Sequence, residues 1–472
     1  MQKVYEELQT LDQRCYEKLD LSEDILMENA AINIKNHIKN RFFANEEILI
    51  VCGSYNNAAD GLALARLLYD KYRVKIYMCD KPKSKMALLQ YKRVLNLNIT
   101  ILQNLKTLNS SYTPNIIVDC IFGSGLNKLF DNNYIKIIDK LNFIKAYKIA
   151  CDIPTGINKQ GQIEQNCFKA NTTITMGSLK IQLYNDRVKD YIGDIKIGSL
   201  GLSKKEYEKK DTNIYLLEKN DLKLPNRIKK DSNKGTYGYA TVILGEKIGA
   251  GLLACESAFA FGVGLISVLS LNKNYNNIPI YIMQDKTISK KSTALAIGMG
   301  LGRDYKNELK SILLENSLPK VIDADLFYDE VILDILDQSN LIFTPHPKEF
   351  CSLLNLTNIC DINIEQLQNS RIKYLKLFMN KYPHIVLLLK GANILIGYQN
   401  IIYINDKGSL NLAKGGSGDV LTGFIVSLLA QGYSTLDATI SASLAHSIAS
   451  QNYDKNSYSL NPLDIIEKVK IL

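Results

Sequence analysis

"EEILIVCG" (Glu46–Gly53) is followed by "DGLALARLLYDKY" (Asp60–Tyr72), "RVKIYMCD" (Arg73–Asp80) and "KMALLQYKRVLN" (Lys85–Asn96). The first and third runs are short, apolar and β-rich; the second and fourth are longer and repeat their apolar residues at helical spacing. Continuously apolar strands that alternate with helices require a parallel sheet covered on both faces. The alternation continues through "NIIVDCIFG" (Asn115–Gly123) and "AYKIACDIPTG" (Ala146–Gly156) and fades near Asp211. A second series opens with "GYATVILG" at Gly238 and runs through "TALAIGMGLG", "KVIDAD", "NLIFTPHP" and "HIVLLLKG" to a helical end. Between the two, "EKNDLKLPNRIKKDSNKG" is polar, holds Pro225 and follows neither period. The expected organisation is a first domain over residues 1–210, a linker over 211–234 and a second domain over 235–472, both of the α/β class.

With 472 residues, 46% hydrophobic and 22% charged, the chain can bury more than one core. Its formal charge of +9 is spread along the sequence without an RNA-binding signature, so a nucleotide satisfies it as well as nucleic acid does, and no nucleic-acid partner is expected. The nine cysteines are odd in number and form no C-x-x-C pair, which reads as reduced thiols in a cytoplasm. The opening "QKVYEELQTLDQRCYEKLDL" is charged and helical where a signal peptide needs an apolar run. The longest apolar stretch, from Leu252 to Leu271, is broken by Glu256, Gly262 and Gly264. It reads as a buried helix running into a buried strand, and no membrane partner is expected.

In "GGSGDVLTG" (Gly415–Gly423), glycines let backbone N–H groups approach a ligand, and the apolar run that follows places those donors at a helix N-terminus, an anion hole. Asp419 beside it is either a base for an attacking hydroxyl or a cap for the helix. Other strand ends add chemistry at the same sheet edge: Lys390 and Gly391 in "LLLKGANILIG", His346 between two prolines in "IFTPHPKEF", and two carboxylates in "VIDADLF".

The succession "KKDSNKGTYGYATVILG", "ALAIGMGLGRD", "VIDAD", "TPHPKEF", "LLKGAN" and "GGSGDVLTG" resembles the ADP- or ATP-dependent NAD(P)H-hydrate dehydratases of the ribokinase-like superfamily over nearly all of residues 225 to 472. The resemblance implies that Lys390, Gly391, Ala392, Asn393, Ile394, Gly415, Gly416 and Gly418 meet the adenine nucleotide, carried with Mg2+. It implies that Ala250, Gly300, His346 and Asp419 face a hydrated nicotinamide nucleotide, Asp419 as the base. The chain departs from that pattern at Lys348, where the family has glycine, and in a shortened loop before "GAGLLACESA".

In the first half, "VCGSYNNAADGLALARLL" puts Asn56, Asn57 and Asp60 in a strand-to-helix loop, to hold a phosphate and a cation or simply to cap the helix. Asp119 in "VDCIFGSGL" and Asp152 in "ACDIPTG" end two further strands at the same edge. With "ILMENAA" before them and "TITMGSLK" and "YIGDIKIGSLGLS" after, these loops resemble the NAD(P)H-hydrate epimerase domain over about residues 1 to 210. The resemblance implies a potassium ion on Asn57, Asp119 and Thr155, and Asp152 as acid/base with Lys180 as its partner. It implies substrate contacts from Asn56, Asn57, Asp60, Gly123, Ser124, Gly125 and Asp152. Tyr55, Ala58 and Ala59 stand where the family has glycine; their side chains are expected to restrict positive φ and crowd the phosphate loop.

Together the two resemblances imply a pair of three-layer αβα domains, Rossmann-like then ribokinase-like, in one bifunctional enzyme acting on NADHX and NADPHX. They also imply a homo-oligomer. Two other readings compete: a small-molecule kinase of the ribokinase superfamily, and a non-catalytic docking or RNA-associated scaffold for the first half.

Overall fold

The computed structural model of the protein describes residues 1–104, 113–125, 131–163, 165–270, 278–302, 305–314 and 317–472. The chain forms two compact units, Lys3–Thr212 and Asn213–Leu472, the latter joined by Met1–Gln2.

The first unit contains strands β1 (Gln2–Tyr5), β2 (Glu47–Cys52), β3 (Arg73–Met78), β4 (Thr100–Leu102), β5 (Ile116–Cys120), β6 (Tyr147–Cys151), β7 (Thr172–Met176), β8 (Leu179–Lys180) and β9 (Asp194–Gly198). Its helices are α1 (Gln9–Leu19), α2 (Glu23–Lys39), α3 (Asn56–Leu68), α4 (Lys85–Asn96), α5 (Asn132–Phe143), α6 (Lys189–Ile192) and α7 (Lys204–Tyr207). Seven strands build one wholly parallel sheet in the order β4-β3-β2-β5-β6-β7-β9, and β1 pairs with β8 beside it. Strand β2 shows why the sheet is sandwiched: Ile48, Ile50 and Cys52 enter one core with α2, α3 and α4, while Leu49 and Val51 enter another with α5. A period of two on an all-apolar strand feeds both faces, and each fully buried Ile, Leu or Val stabilises by about 1.5–3 kcal/mol.

The second unit contains β10 (Ile214–Leu216), β11 (Tyr239–Leu244), β12 (Leu265–Ser270), β13 (Met283–Asp285), β14 (Ala294–Ile297), β15 (Lys320–Ile322), β16 (Leu341–Phe343), β17 (Val386–Leu389), β18 (Ile394–Tyr398) and β19 (Ile401–Asn405). Its helices are α8 (Ile248–Ala260), α9 (Lys306–Leu314), α10 (Pro347–Leu356), α11 (Ile364–Asn369), α12 (Arg371–Lys381), α13 (Ser417–Ala430), α14 (Thr435–Gln451) and α15 (Pro462–Val469). The order β13-β12-β11-β14-β15-β16-β17 is parallel, and β18 and β19 extend it as an antiparallel hairpin to which β10 adds in parallel. Helices α8, α13, α14 and α15 share one core with the inward residues of β11, β14 and β17. On the other face Phe343 of β16 packs towards Phe378 of α12, with 6.3 Å between ring centroids.

The apolar stretch from Leu252 is α8 running into β12, both contributing to the second core; Leu271 lies outside the described residues. Among the described residues no helix is long and apolar enough to cross a membrane. All nine cysteines are free thiols. Within residues 211–234, Ile214–Leu216 pair with β19, and Leu217 is wholly buried in the second core. Three residues of alternation are too few to register as a strand in sequence.

Helix α13 touches α8 so closely that a Cβ on Gly423 would sit 1.8 Å from Ser257 Oγ and 2.2 Å from the Ala254 carbonyl oxygen. Only glycine permits that approach.

Candidate functional site

In the first sheet the crossovers reverse direction between β2 and β5, and open α/β sheets bind ligands at such a switch point, beyond the carboxyl ends of the strands. A cleft of about 1290 Å3 opens there, above the 300–1,000 Å3 usual for small-ligand pockets. Its walls include Asn56, Asn57, Asp60, Gly123, Ser124, Gly125, Asp152 and Lys180, which the sequence singled out. Asp119 and Thr155 lie fully buried beneath it. Leu126 lies outside the described residues.

Asp119, near the end of β5, accepts hydrogen bonds from the amides of Ile121 (3.1 Å) and Thr155 (2.7 Å) and from the Thr155 hydroxyl (2.7 Å). Burial pushes its carboxyl up to about 6, against those three donors. Thr155 Oγ in turn accepts from the Phe122 amide at 3.0 Å. Asn57 is 9% exposed, yet neither its side-chain oxygen nor its nitrogen has a partner among the described residues. The 121–123 turn joins these groups, since a Cβ on Gly123 would lie 3.7 Å from Asn57 Oδ1 and 3.1 Å from Asp152 Oδ2. Orphaned amide oxygen, buried carboxylate and threonine hydroxyl form an all-oxygen donor set that suits a hard monovalent cation.

Asp152 follows β6 with φ +71°, a left-handed conformation that Asp tolerates better than most residues. It accepts from the amides of Ser124 and Met176, each at 3.2 Å, and from the Lys180 ammonium. Burial drives the carboxyl up, but the Lys180 charge and hydrogen bond with the two amides outweigh it and hold Asp152 below the ordinary range. Lys180, 3% exposed, spends its other donors on Thr175 Oγ1 (2.8 Å) and the Met176 carbonyl (3.0 Å). Asp60 is driven the other way, well above its ordinary value, by burial and then by the charges of Asp152 and Asp12. Asp12 is a cleft residue the sequence reading passed over; it projects from α1 and receives the Tyr207 hydroxyl at 2.7 Å.

The restriction of positive φ expected from Tyr55, Ala58 and Ala59 does not arise, although the exposed Tyr55 side chain does line the cleft. None has positive φ: Tyr55 is extended, and Ala58 and Ala59 lie in the first turn of α3 with wholly buried side chains in the core. No side-chain hydrogen bond from Tyr55 caps that helix. Asn56 is exposed and donates to Glu23 at 2.6 Å.

In the second sheet the switch point falls between β11 and β14. Gly300 sits there against Ala250, whose Cβ is 3.2 Å from where a Gly300 Cβ would be. Arg303 and Asp304 of the quoted turn lie outside the described residues. Lys390, at the end of β17, donates to Asp323 Oδ1 at 2.6 Å, and Asp323 Oδ2 accepts from Thr422 of α13 at 2.7 Å. The 2% exposed Asp323 thereby ties the lysine to the glycine-rich helix. A Cβ on Gly418 would lie 3.3 Å from Lys390 Nζ, so lysine and glycine turn adjoin. Buried Arg371 of α12 donates to the carbonyls of Leu389 (3.2 Å), Lys390 (2.9 Å) and Asn393 (2.8 Å), which fixes the turn Lys390–Gly391–Ala392–Asn393 ahead of Ile394.

Asp419 occupies the first turn of α13, after Gly415 and the left-handed Gly416, and accepts no hydrogen bond among the described residues. Burial first, then the charge of Asp323, push its carboxyl up to about 6, against the pull of Lys390. A lone carboxylate poised there is equipped to take a proton. His346 spends both nitrogens locally: Nδ1 accepts from the amides of Lys348 and Glu349, and Nε2 meets Glu349 Oε1 at 2.9 Å. It caps α10, and what it presents to a ligand is its ring rather than a free nitrogen. Buried His446 of α14 was also missed; its Nε2 donates to the Ser417 carbonyl at 3.0 Å and braces the glycine turn from behind. A hollow of about 430 Å3 at the opposite edge carries no Asp, Glu, His, Lys or Arg.

Each α/β unit gathers an aspartate and a lysine at the carboxyl edge of its sheet, the layout of an enzyme with a separate site in each unit. A family model described as NAD(P)H-hydrate dehydratase matches residues 240–470, and one described as YjeF-related protein N-terminus matches residues 23–182. The chain is 43% identical over 477 aligned residues, 100% of both chains, to the bifunctional NAD(P)H-hydrate repair enzyme Nnr of Helicobacter pylori. It is 30% identical to the enzyme of that name from Dictyoglomus turgidum, over 98% of this chain and 96% of the relative. Among solved structures, an ADP/ATP-dependent NAD(P)H-hydrate dehydratase from Bacillus subtilis, co-crystallized with ATP/Mg2+, aligns at 25% identity and TM-score 0.45 over 52% of this chain and 92% of its own. The chain belongs to the family of bifunctional NAD(P)H-hydrate repair enzymes.

Proposed function

We propose that residues 1–210 interconvert the R and S hydrates of NADH and NADPH and that residues 235–472 return the S form to NAD(P)H at the expense of ADP or ATP. The full-length 43% identity to a bifunctional repair enzyme carries this reading. Adding water across C5=C6 of the dihydronicotinamide ring leaves a hydroxyl on C6, next to N1, and hydroxide is a poor leaving group. In the second unit Asp419 takes the hydroxyl proton as the oxygen attacks the terminal phosphoryl group. The amides at Gly415, Gly416 and Gly418 and the ammonium of Lys390 take up the phosphoryl charge. Phosphate then leaves with the C6–O electron pair, N1 supplies the pair that expels it, and loss of the C5 proton restores C5=C6. Ala250, Gly300 and the ring of His346 shape the nicotinamide side, and residues 390–394 hold the adenine nucleotide, whose phosphates bring Mg2+.

In the first unit Asp152, oriented by Lys180, serves as acid/base at C6. Asn56, Asn57, Asp60 and the 123–125 turn hold the nucleotide. Asn57, Asp119 and Thr155 would hold K+, which supplies positive charge beside a buried carboxylate. The protein acts as a homo-oligomer in the cytoplasm, without nucleic acid or membrane.

The test is incubation of the full chain with mixed R and S NADHX and ADP or ATP, following the return of dihydronicotinamide absorbance. Loss of both epimers in one fast phase is the expected result. A phosphorylated product that accumulates without that absorbance would make the second unit a small-molecule kinase, and an R form that decays only at its spontaneous rate would make the first unit a scaffold.

A further inference from the structure

The mechanism above leaves Asp12, a carboxyl of the cleft wall, without a task. Asp12 stands on α1, while Asp152 follows β6 and Lys180 ends β8, yet all three line the one cleft. Asp12 is held as a functional side chain would be: the Tyr207 hydroxyl donates to one of its oxygens at 2.7 Å, and the other oxygen has no partner among the described residues. Tyr207 is itself set rigidly. It is 3% exposed, and its ring lies over the bare face of Gly177, where a Cβ would come within 2.4 Å of the ring. A rigid hydroxyl thus fixes a carboxyl that faces a cleft large enough for a dinucleotide. The unpartnered amide of Asn57, 9% exposed and part of the same wall, independently marks that cleft as built for a ligand.

We propose that Asp12, anchored by Tyr207, is a second catalytic acid–base of the first unit, giving a proton to the departing C6 hydroxyl while Asp152 takes one from the water that replaces it. This rests on reading that unit as the epimerase. In the first step the Asp12 proton passes to the hydroxyl, the C6–O bond breaks, water leaves with its electron pair, and the N1 lone pair closes a C6=N1 double bond. In the second, water adds to the other face of C6, the C6=N1 pair returns to N1, and Asp152 accepts the proton. One water leaves and one enters, with no oxidant or reductant; the reverse conversion runs the carboxyls in exchanged roles. The environments divide the labour accordingly. Burial raises Asp12 despite the Tyr207 hydrogen bond and the Lys180 charge, whereas Lys180 keeps Asp152 ionised. Asp60 is less suited, since its partner is the Cys151 thiol at 3.9 Å, which does not orient it.

The test uses the full chain and pure (R)-NADHX, with dehydration of (S)-NADHX by the same protein as the internal reference. Asp12→Asn keeps the size of the side chain and still accepts from Tyr207. It should slow R-to-S conversion by about 10²- to 10⁴-fold and leave S-form dehydration unchanged. Formate added to Asp12→Ala should restore part of the rate, which a merely structural residue would not allow. Tyr207→Phe, which leaves the carboxyl in place, should also slow epimerisation without touching dehydration. An unaltered R-form rate in either Asp12→Asn or Tyr207→Phe overturns the proposal. Failure of the unmodified protein to exceed spontaneous epimerisation overturns the epimerase reading itself.

Discussion

Asp419→Asn should make the second unit more stable as it makes it inactive. A carboxyl raised from 3.8 to about 6 keeps its proton in the folded chain at pH values where the unfolded chain has released it. Over that window the folded state binds more protons, so stability falls as pH rises, and above about pH 6 the full penalty of a buried ion remains. At 1.36 kcal/mol per pH unit the penalty approaches about 3 kcal/mol. Partial exposure of Asp419 to solvent screens it, so about 1–3 kcal/mol is the expected gain on replacing the ion with a neutral amide. Lys390 offsets only part of the penalty because its ammonium also pairs with Asp323 at 2.6 Å. Thermal unfolding of the full chain at pH 7.5 and near pH 4 reads this out: the second unit of the variant should melt several degrees higher at the upper pH and equally at the lower. Dehydration of (S)-NADHX should fall about 10²- to 10⁴-fold with nucleotide affinity nearly intact. A variant that melts lower at pH 7.5 would show that the carboxylate stabilises the helix as a cap, and the assignment of Asp419 as base would fall with it.

Four further outcomes follow from contacts described above. Lys180→Met leaves Asp152 buried without its cation; it should destabilise the first unit by about 3–5 kcal/mol in urea unfolding and abolish R-form conversion. Gly423→Ala forces α13 from α8, so the second unit should lose about 1–3 kcal/mol or more, seen as a lowered Tm with the first unit unaffected. Ala58→Gly with Ala59→Gly should cost about 1 kcal/mol each by weakening α3 and bring no faster epimerisation, because neither position has positive φ. Exchange of K+ for Li+ should weaken NADHX binding to the first unit measured by titration calorimetry, whereas equal affinity in the two salts would count against Asn57, Asp119 and Thr155 as a cation site.

What the sequence displays well is whatever one element decides alone. The apolar alternation of β2 announces a strand buried on both faces; Asp119, Asp152 and Lys390 are visible because a polar residue ends an apolar run, and Asp419 because it stands between glycines and the apolar run that follows. What it hides depends on partners far away. Asp12 reads as one polar position on an amphipathic helix until Tyr207, 195 residues later, is seen to hold it. Asp323 shows as a strand-end carboxylate, but its bridge from Lys390 to Thr422 joins three segments. His446 sits in a run that reads only as a buried helix, so its brace on Ser417 gives no local signal. Ala58 and Ala59 mislead for the opposite reason: glycine at those positions implies a special backbone, and the helix that forms there has no positive φ.

The nine residues from Gly415 to Gly423 do not behave as one motif when considered position by position. A methyl on Gly415 would meet nothing within 4 Å, whereas one on Gly423 would strike α8 at 1.8 Å. The first glycine has open space beside it, where the proposed nucleotide would lie, and the last lets two helices approach. Alanine at 415 is therefore a separation-of-function allele that leaves folding alone and touches only what the turn accommodates, and alanine at 423 is its mirror image. In a library varied across this loop, survivors sorted by yield and survivors sorted by turnover would be different populations.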